Sequence, residues 1–166
     1  MSVTSATFVH VVRHAQAGDR NRWNGPDEAR PLTKAGRRQA GRLAERFADE
    51  PFLQLLSSPF ARCVQTFEPL AVARSLRIEP RDELAEGQPW EYLEKLVLEA
   101  EAVGPTAVCV HGDAMRAVIE ELIERGVAEG ATGDLRKGST WVLGVSDGAI
   151  VSARHVAAPS SKATPD

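Results

Sequence analysis

The chain has 166 residues, 43% of them hydrophobic and 26% charged, a size and balance that fit one globular domain with a real core. Its net charge of -3 offers no general positive field, which argues against nucleic acid or an anionic membrane surface as partner. Selectivity for an anion would have to be local. No window approaches the roughly 20 apolar residues of a membrane span, and no basic start precedes a long apolar stretch, so a cytoplasmic protein is expected. Cys63 and Cys109 are far apart and lack a partner motif, and read as reduced thiols rather than as a zinc site or a disulfide.

Apolar runs rich in β-branched residues predict strands at Thr7 to Val12, Leu53 to Leu56, Ala107 to Val110 and Trp141 to Val145. The polar stretch Gly18 to Pro31 reads as a loop above the first strand. Thr33 should cap a helix whose inner face carries Ala40, Leu43, Ala44 and Phe47, with Pro51 as its stop. A second helix should follow Pro59 and turn Val64, Phe67, Leu70 and Ala71 inward. A third spans about Trp90 to Ala102 and breaks at Gly104-Pro105. The fourth follows His111-Gly112, with Met115, Val118, Ile119 and Leu122 as its buried stripe. Val142 to Val145, Asp147-Gly148 and Ala149 to Val156 read as a terminal hairpin. The sum is a three-layer α/β/α sandwich, mainly parallel with an antiparallel edge. Residues 1 to 158 form one domain, and 159 to 166 a polar tail expected to fray.

In such sheets ligands bind beyond the carboxyl ends of the strands. Three segments place cationic or imidazole groups there: Arg13-His14, Ser57-Ser58-Pro59-Phe60-Ala61-Arg62, and His111-Gly112. Each has an ordinary reading alone. Arg13-His14 could be a solvated strand end, Arg62 a helix-surface charge, and His111 a core histidine. Convergence of all three is what the ordinary readings leave unexplained. A neutral histidine can attack phosphorus, and fixed guanidinium groups with a second imidazole can hold the phosphoryl oxygens. The Gly112 amide at a helix start adds a donor, and Asp113, which follows it, is a candidate cap for that helix instead. Such chemistry requires no metal or other cofactor.

The blocks resemble the histidine phosphatase superfamily, also called the phosphoglycerate mutase-like family. Its Arg-His-Gly signature is matched by Arg13-His14-Ala15, with alanine in third place. Pro31-Leu32-Thr33 with Gly36, Gln39 and Ala40 is similar to the helix start that follows. Ser57-Ser58-Pro59 with Arg62 and Thr66 resembles the second block, and Val110-His111-Gly112 with Arg116 the last. The resemblance implies His14 as the nucleophile that becomes phosphohistidine, with Arg13, Arg62, His111 and Gly112 binding the phosphoryl group. It also implies a general acid, taken first as Glu86 in Leu84-Ala85-Glu86, with Glu83, Asp82 and Asp27 as alternatives.

Departures from the pattern point within the superfamily. Gln16-Ala17-Gly18-Asp19 follows the signature where mutases present serine and asparagine, only Asn24 stands nearby, and long insertions are absent from the chain. The short branch typified by SixA phosphohistidine phosphatases is therefore implied first, with a phosphorylated protein as substrate. The first loop is also similar to the phosphatase-like domain appended to some MutT-type Nudix hydrolases. That similarity implies a small nucleotide or phospho-metabolite, met by Arg20, Arg22 and Trp23. A phosphate-binding module without turnover is a third reading, in another class. His10 and His155 read as structural, Trp90 and Trp141 as packing, and Arg116 as paired with a carboxylate. The runs around Arg37-Arg38 and Glu120-Glu121 read as solvated faces.

Overall fold

Alternation along the strands decides the layers. In the first strand, β1 (Thr7–Arg13), Val9 and Val11 pack into one cluster and Val12 into another, because successive strand residues point to opposite faces. The same alternation splits Leu55 from Leu56 in β2 (Gln54–Ser57), and Ala107 and Cys109 from Val108 and Val110 in β4 (Thr106–Val110). A computed structural model describes residues 5–128 and 135–164. Its sheet runs in the order β3, β2, β4, β1, β5, β6, where β3 is Ile78–Pro80, β5 is Thr140–Ser146 and β6 is Ala149–Val156. β1, β2, β3 and β4 pair in parallel, and β5 and β6 run antiparallel at one side.

One face is covered by α1 (Lys34–Arg46) and α2 (Ala61–Arg74) through Leu43, Phe47, Phe67 and Leu70. The other is covered by α3 (Glu91–Val103) and α4 (Gly112–Glu124) through Leu93, Val97, Met115 and Ile119. This is the expected three-layer α/β/α architecture, mainly parallel with an antiparallel edge. The Thr33 hydroxyl accepts from the Gly36 amide at 3.0 Å, capping α1. At the hairpin, Asp147 and Gly148 have φ of 51° and 75°, the backbone that a two-residue primed turn demands. Both thiols are free and buried.

Four expectations need correction. β2 begins at Gln54, where its pairing with β4 starts, and Leu53 before it is 61% exposed. The inner face of α2 is Arg62, Cys63, Thr66, Phe67 and Leu70, with Val64 and Ala71 only half-buried. The helix is rotated to bring polar residues inward, and counting apolar residues cannot see that. The tail, over its described part, lies against α1 rather than standing free. Arg38, Arg42 and Arg46 recur every four residues on α1 and so share one face. They donate to the carbonyls of Ser161, Ser160 and Ala157, so the Arg37-Arg38 run is not merely solvated. Gln39 ties the tail to the rest: its Nε2 donates to Lys137 O at 2.9 Å and Pro159 O at 3.1 Å, while its Oε1 accepts from Gln16 N at 3.1 Å. Fourth, Asp113 does not cap α4; its Oδ2 accepts from the Gly87 amide at 3.0 Å.

Candidate active site

β1 and β4 are parallel neighbours, and their chains leave the sheet toward opposite helical layers, α1 and α4. A crevice opens between such strands. His14, 5% exposed, sits at its base. The His14 amide donates to Val110 O at 3.1 Å, and the next amide, Ala15 N, donates to Thr66 Oγ1 at 2.9 Å. The segment 136–139 clamps the strand end from the other side. Gly138 N donates to the carbonyls of Arg13 and His14, and Arg13 N donates to Ser139 O.

The His14 ring is fixed by one bond. Nδ1 lies 2.8 Å from Ala15 O, and a carbonyl only accepts, so Nδ1 carries the hydrogen and Nε2 keeps its lone pair. Burial holds the imidazole at a pKa of about 3 against an ordinary 6.5. The Ala15 carbonyl opposes this, while His111, Arg62 and Arg13 add to it. The ring is neutral at physiological pH, the state needed for attack.

Around it stand the two arginines and the second histidine. The His111 ring centroid lies 5.4 Å from that of His14. His111 Nε2 is 2.8 Å from Ser58 Oγ and 3.6 Å from Cys63 Sγ. Arg62 is wholly buried, which removes its reading as a helix-surface charge. Its Nη1 donates to Asp27 O at 2.9 Å, and its Nη2 to Asp27 Oδ2 at 3.0 Å and Glu86 Oε2 at 2.8 Å. Arg13 Nη1 donates to Leu135 O at 2.6 Å. A Cβ on Gly112 would come within 2.8 Å of Arg13 Cζ, so the missing side chain is what lets the guanidinium lie against the start of α4. Arg13 Nε, Arg62 Nε and His111 Nδ1 are all buried without a hydrogen-bond partner among the described residues. Buried polar atoms left unsatisfied are uncommon and call for an explanation.

The candidate acids separate by position. Glu86 lies on the pocket wall with His14 and Arg13, bound by Arg62 and, at 3.0 Å and 3.2 Å, by Arg20 Nη2. Burial works against the charged form of Asp27, but hydrogen bonds from Arg30 and Arg62 outweigh it and hold the carboxyl at about 2. Asp27 is also not among the residues that line the pocket. Glu83 pairs with Arg81 at 3.8 Å instead, and neither Glu83 nor Asp82 is on the wall. Of the three loop residues, only Arg20 reaches the pocket. Arg22 pairs with Asp19 at 3.8 Å, and Trp23 turns back on its own loop, donating to Pro26 O at 2.8 Å.

Sequence reasoning missed two parts of this arrangement. Leu135, Gly138 and Ser139 brace Arg13-His14 by main-chain atoms, and Lys137 lies on the wall; the glycine before the fifth strand, with φ of +87°, was the available signal. Arg116 also lines the pocket, and no carboxylate among the described residues pairs with it, contrary to expectation. His10 is structural: it is buried edge-on to Phe47 and Phe52. Among the described residues no cluster of His, Cys, Asp and Glu could hold a metal ion.

The sequence profile of the histidine phosphatase superfamily, branch 1, matches residues 9–101, and these include Arg13, His14, Arg62 and Glu86. The chain belongs to the histidine phosphatase superfamily. His111 lies beyond the matched stretch and joins the site by geometry. The chain is 38% identical over 158 residues to a protein from Mycolicibacterium smegmatis named 8-oxo-(d)GTP phosphatase, which covers 93% of this chain. The match spans about half, 49%, of that relative's length. Among solved structures, the SixA-type protein of Agrobacterium tumefaciens superposes with a TM-score of 0.69 at 25% identity, over 85% of this chain and 93% of that one. A phosphoglycerate mutase from Bacillus anthracis, 18% identical, shares the fold at a TM-score of 0.70, over 92% of this chain and 93% of that one. No helix among the described residues is long and apolar enough to cross a membrane.

Proposed function

We propose that this histidine phosphatase domain hydrolyses a phosphorylated small molecule, with nucleotides foremost, through a phospho-His14 intermediate. The observation that carries the reading is the pairing of a neutral, buried His14 with two unpartnered guanidinium donors, Arg13 Nε and Arg62 Nε, and with His111 Nδ1, which also has no partner among the described residues. His14 Nε2 attacks phosphorus, and the P–N bond forms as the bond to the leaving oxygen breaks. Arg13, Arg62, His111 and the Gly112 amide hold the phosphoryl oxygens as charge spreads over them. Glu86 gives a proton to the leaving oxygen. It then takes one from the water that displaces phosphate from His14. None of these steps uses a metal, so turnover should survive a chelator.

The choice of small molecules over proteins rests on the M. smegmatis relative, 38% identical and named for a nucleotide substrate, and on cations beyond those the phosphoryl group uses. This reverses the order implied by the sequence. A phosphohistidine protein as substrate is the second reading, favoured by the SixA-type neighbour. The test is rapid quench with p-nitrophenyl phosphate and with nucleotides: acid-labile, base-stable phosphate should appear on the protein and be absent from His14→Ala. A phosphohistidine protein turned over orders of magnitude faster than any nucleotide would make the second reading the right one. Phosphate binding without labelling or turnover would leave a binding module.

A further inference from the structure

The pocket above His14 has a volume of about 520 Å³, more than one phosphoryl group fills, and its charges do not balance. Arg30 on its wall is committed to Asp27 at 2.9 Å, and Arg20 to Glu86. The acids there are engaged as well, Asp113 by the Gly87 amide and Asp19 by Arg22 and the Asn21 amide. Two wall cations remain, Arg116 from α4 and Lys137 from the segment before β5. Neither has a carboxylate partner among the described residues, and the Arg116 side chain is exposed. Burial, together with Arg13, Arg30, Arg62 and Arg20, pushes the Lys137 ammonium below the usual lysine range. Like charges gathered without counter-ions are unfavourable unless an anion joins them. The domain as a whole is negative, so this concentration is local.

We propose that Arg116 and Lys137 form a second anion subsite that takes the phosphate next to the transferred group, so that the substrate is a phosphoanhydride such as a nucleoside diphosphate. The proposal rests on the phospho-His14 reading and narrows its substrate class. In the reaction, His14 Nε2 bonds to the terminal phosphorus and the P–O bond of the anhydride breaks. The electron pair stays on the bridging oxygen, now part of the departing nucleoside monophosphate. Water, giving a proton to Glu86, then attacks the phosphorus on His14, and the P–N bond breaks to release inorganic phosphate. Negative charge develops on that leaving phosphate, where fixed cations lower the barrier as oxyanion donors do.

The experiment measures kcat/KM for a nucleoside diphosphate, the monophosphate of the same nucleoside, a sugar bisphosphate with its phosphates on opposite carbons, and p-nitrophenyl phosphate. The diphosphate should exceed the monophosphate by about tenfold or more, the worth of one charge-assisted contact. In Arg116→Gln with Lys137→Gln the fall for the diphosphate should exceed that for p-nitrophenyl phosphate by at least the same order, bringing the ratio close to one. Both positions are at least partly exposed, so the variant should fold. A diphosphate no better than the monophosphate, or a variant that lowers every substrate by one common factor, overturns the subsite. A bisphosphate that outruns the diphosphate overturns its placement next to the transferred group. Absence of acid-labile phosphate on His14 with every substrate is a different failure, that of the phospho-His14 reading.

Discussion

The floor of the site and its rim are built from different materials. On the floor, Arg62 is wholly buried, His111 is 1% exposed and His14 5%, each held by strand ends or by the first turn of a helix. On the rim, Arg20 has 60% of its side chain exposed, Arg116 and Glu86 are exposed, and Lys137 is half-buried. The floor is part of the core, so its geometry is as rigid as the packing beneath it. The rim can vary without disturbing that core. Under the proposed mechanism the difference says where to look for each property: transfer of the phosphoryl group to His14 in residues that pack, leaving-group and substrate choice in residues that do not.

That division is open to test. A change to the floor should cost every substrate alike, and a change to the rim should sort them. The largest effect belongs to His14→Ala, which should lower kcat by at least about four orders of magnitude on all substrates, as loss of a nucleophile does, and abolish labelling in rapid quench. Arg62→Met should follow, with roughly 10²–10³ lost in kcat through the missing oxyanion donor, again regardless of leaving group. Glu86→Gln should separate substrates. Alkyl phosphates should slow by about 10²-fold or more, as for a lost general acid, and p-nitrophenyl phosphate much less, whereas Glu83→Gln should do neither. The same pattern in Glu83→Gln would move the acid.

Two smaller effects concern stability, read from urea midpoints. Asp27 is held at about 2, below its ordinary 3.8, so its ionised form is favoured by folding. Asp27→Asn should therefore be less stable than the native chain at pH 7. The gap should close as pH falls from about 4 and vanish near 2; a gap that widened in acid would refute the pairing. Gln39→Ala removes the group that joins the tail to Gln16 and Lys137. It should cost about 1–3 kcal/mol, the range for leaving buried polar groups unpaired, with little change in kcat.

The same division explains what could be read in advance. Strand ends carry Arg13, His14 and His111 because apolar runs announce where strands stop, and the order of motifs brought Arg62 to them. Glu86 was reachable only through family resemblance, since a loop carboxylate has no periodicity to betray it. Hydrophobic spacing misplaced the inner face of α2 because it is blind to a buried arginine and threonine. Arg116 and Lys137 could not be read as a pair at all, since 21 positions separate them along the chain and their relation lies in the absence of other partners. The tail was misjudged for a similar reason: polar composition suggests fraying, yet its backbone carbonyls, which no composition reveals, meet a row of arginines.

Gly112 carries a practical consequence. An added methyl there would meet the far end of the Arg13 side chain, its guanidinium, rather than any backbone. The helix can keep its place while the cation moves aside. Gly112→Ala is thus a way to disarm the catalyst by displacement alone, with every ionisable group retained and the net charge untouched. Such a variant isolates the position of a charge from its presence, a distinction that deleting the arginine cannot make.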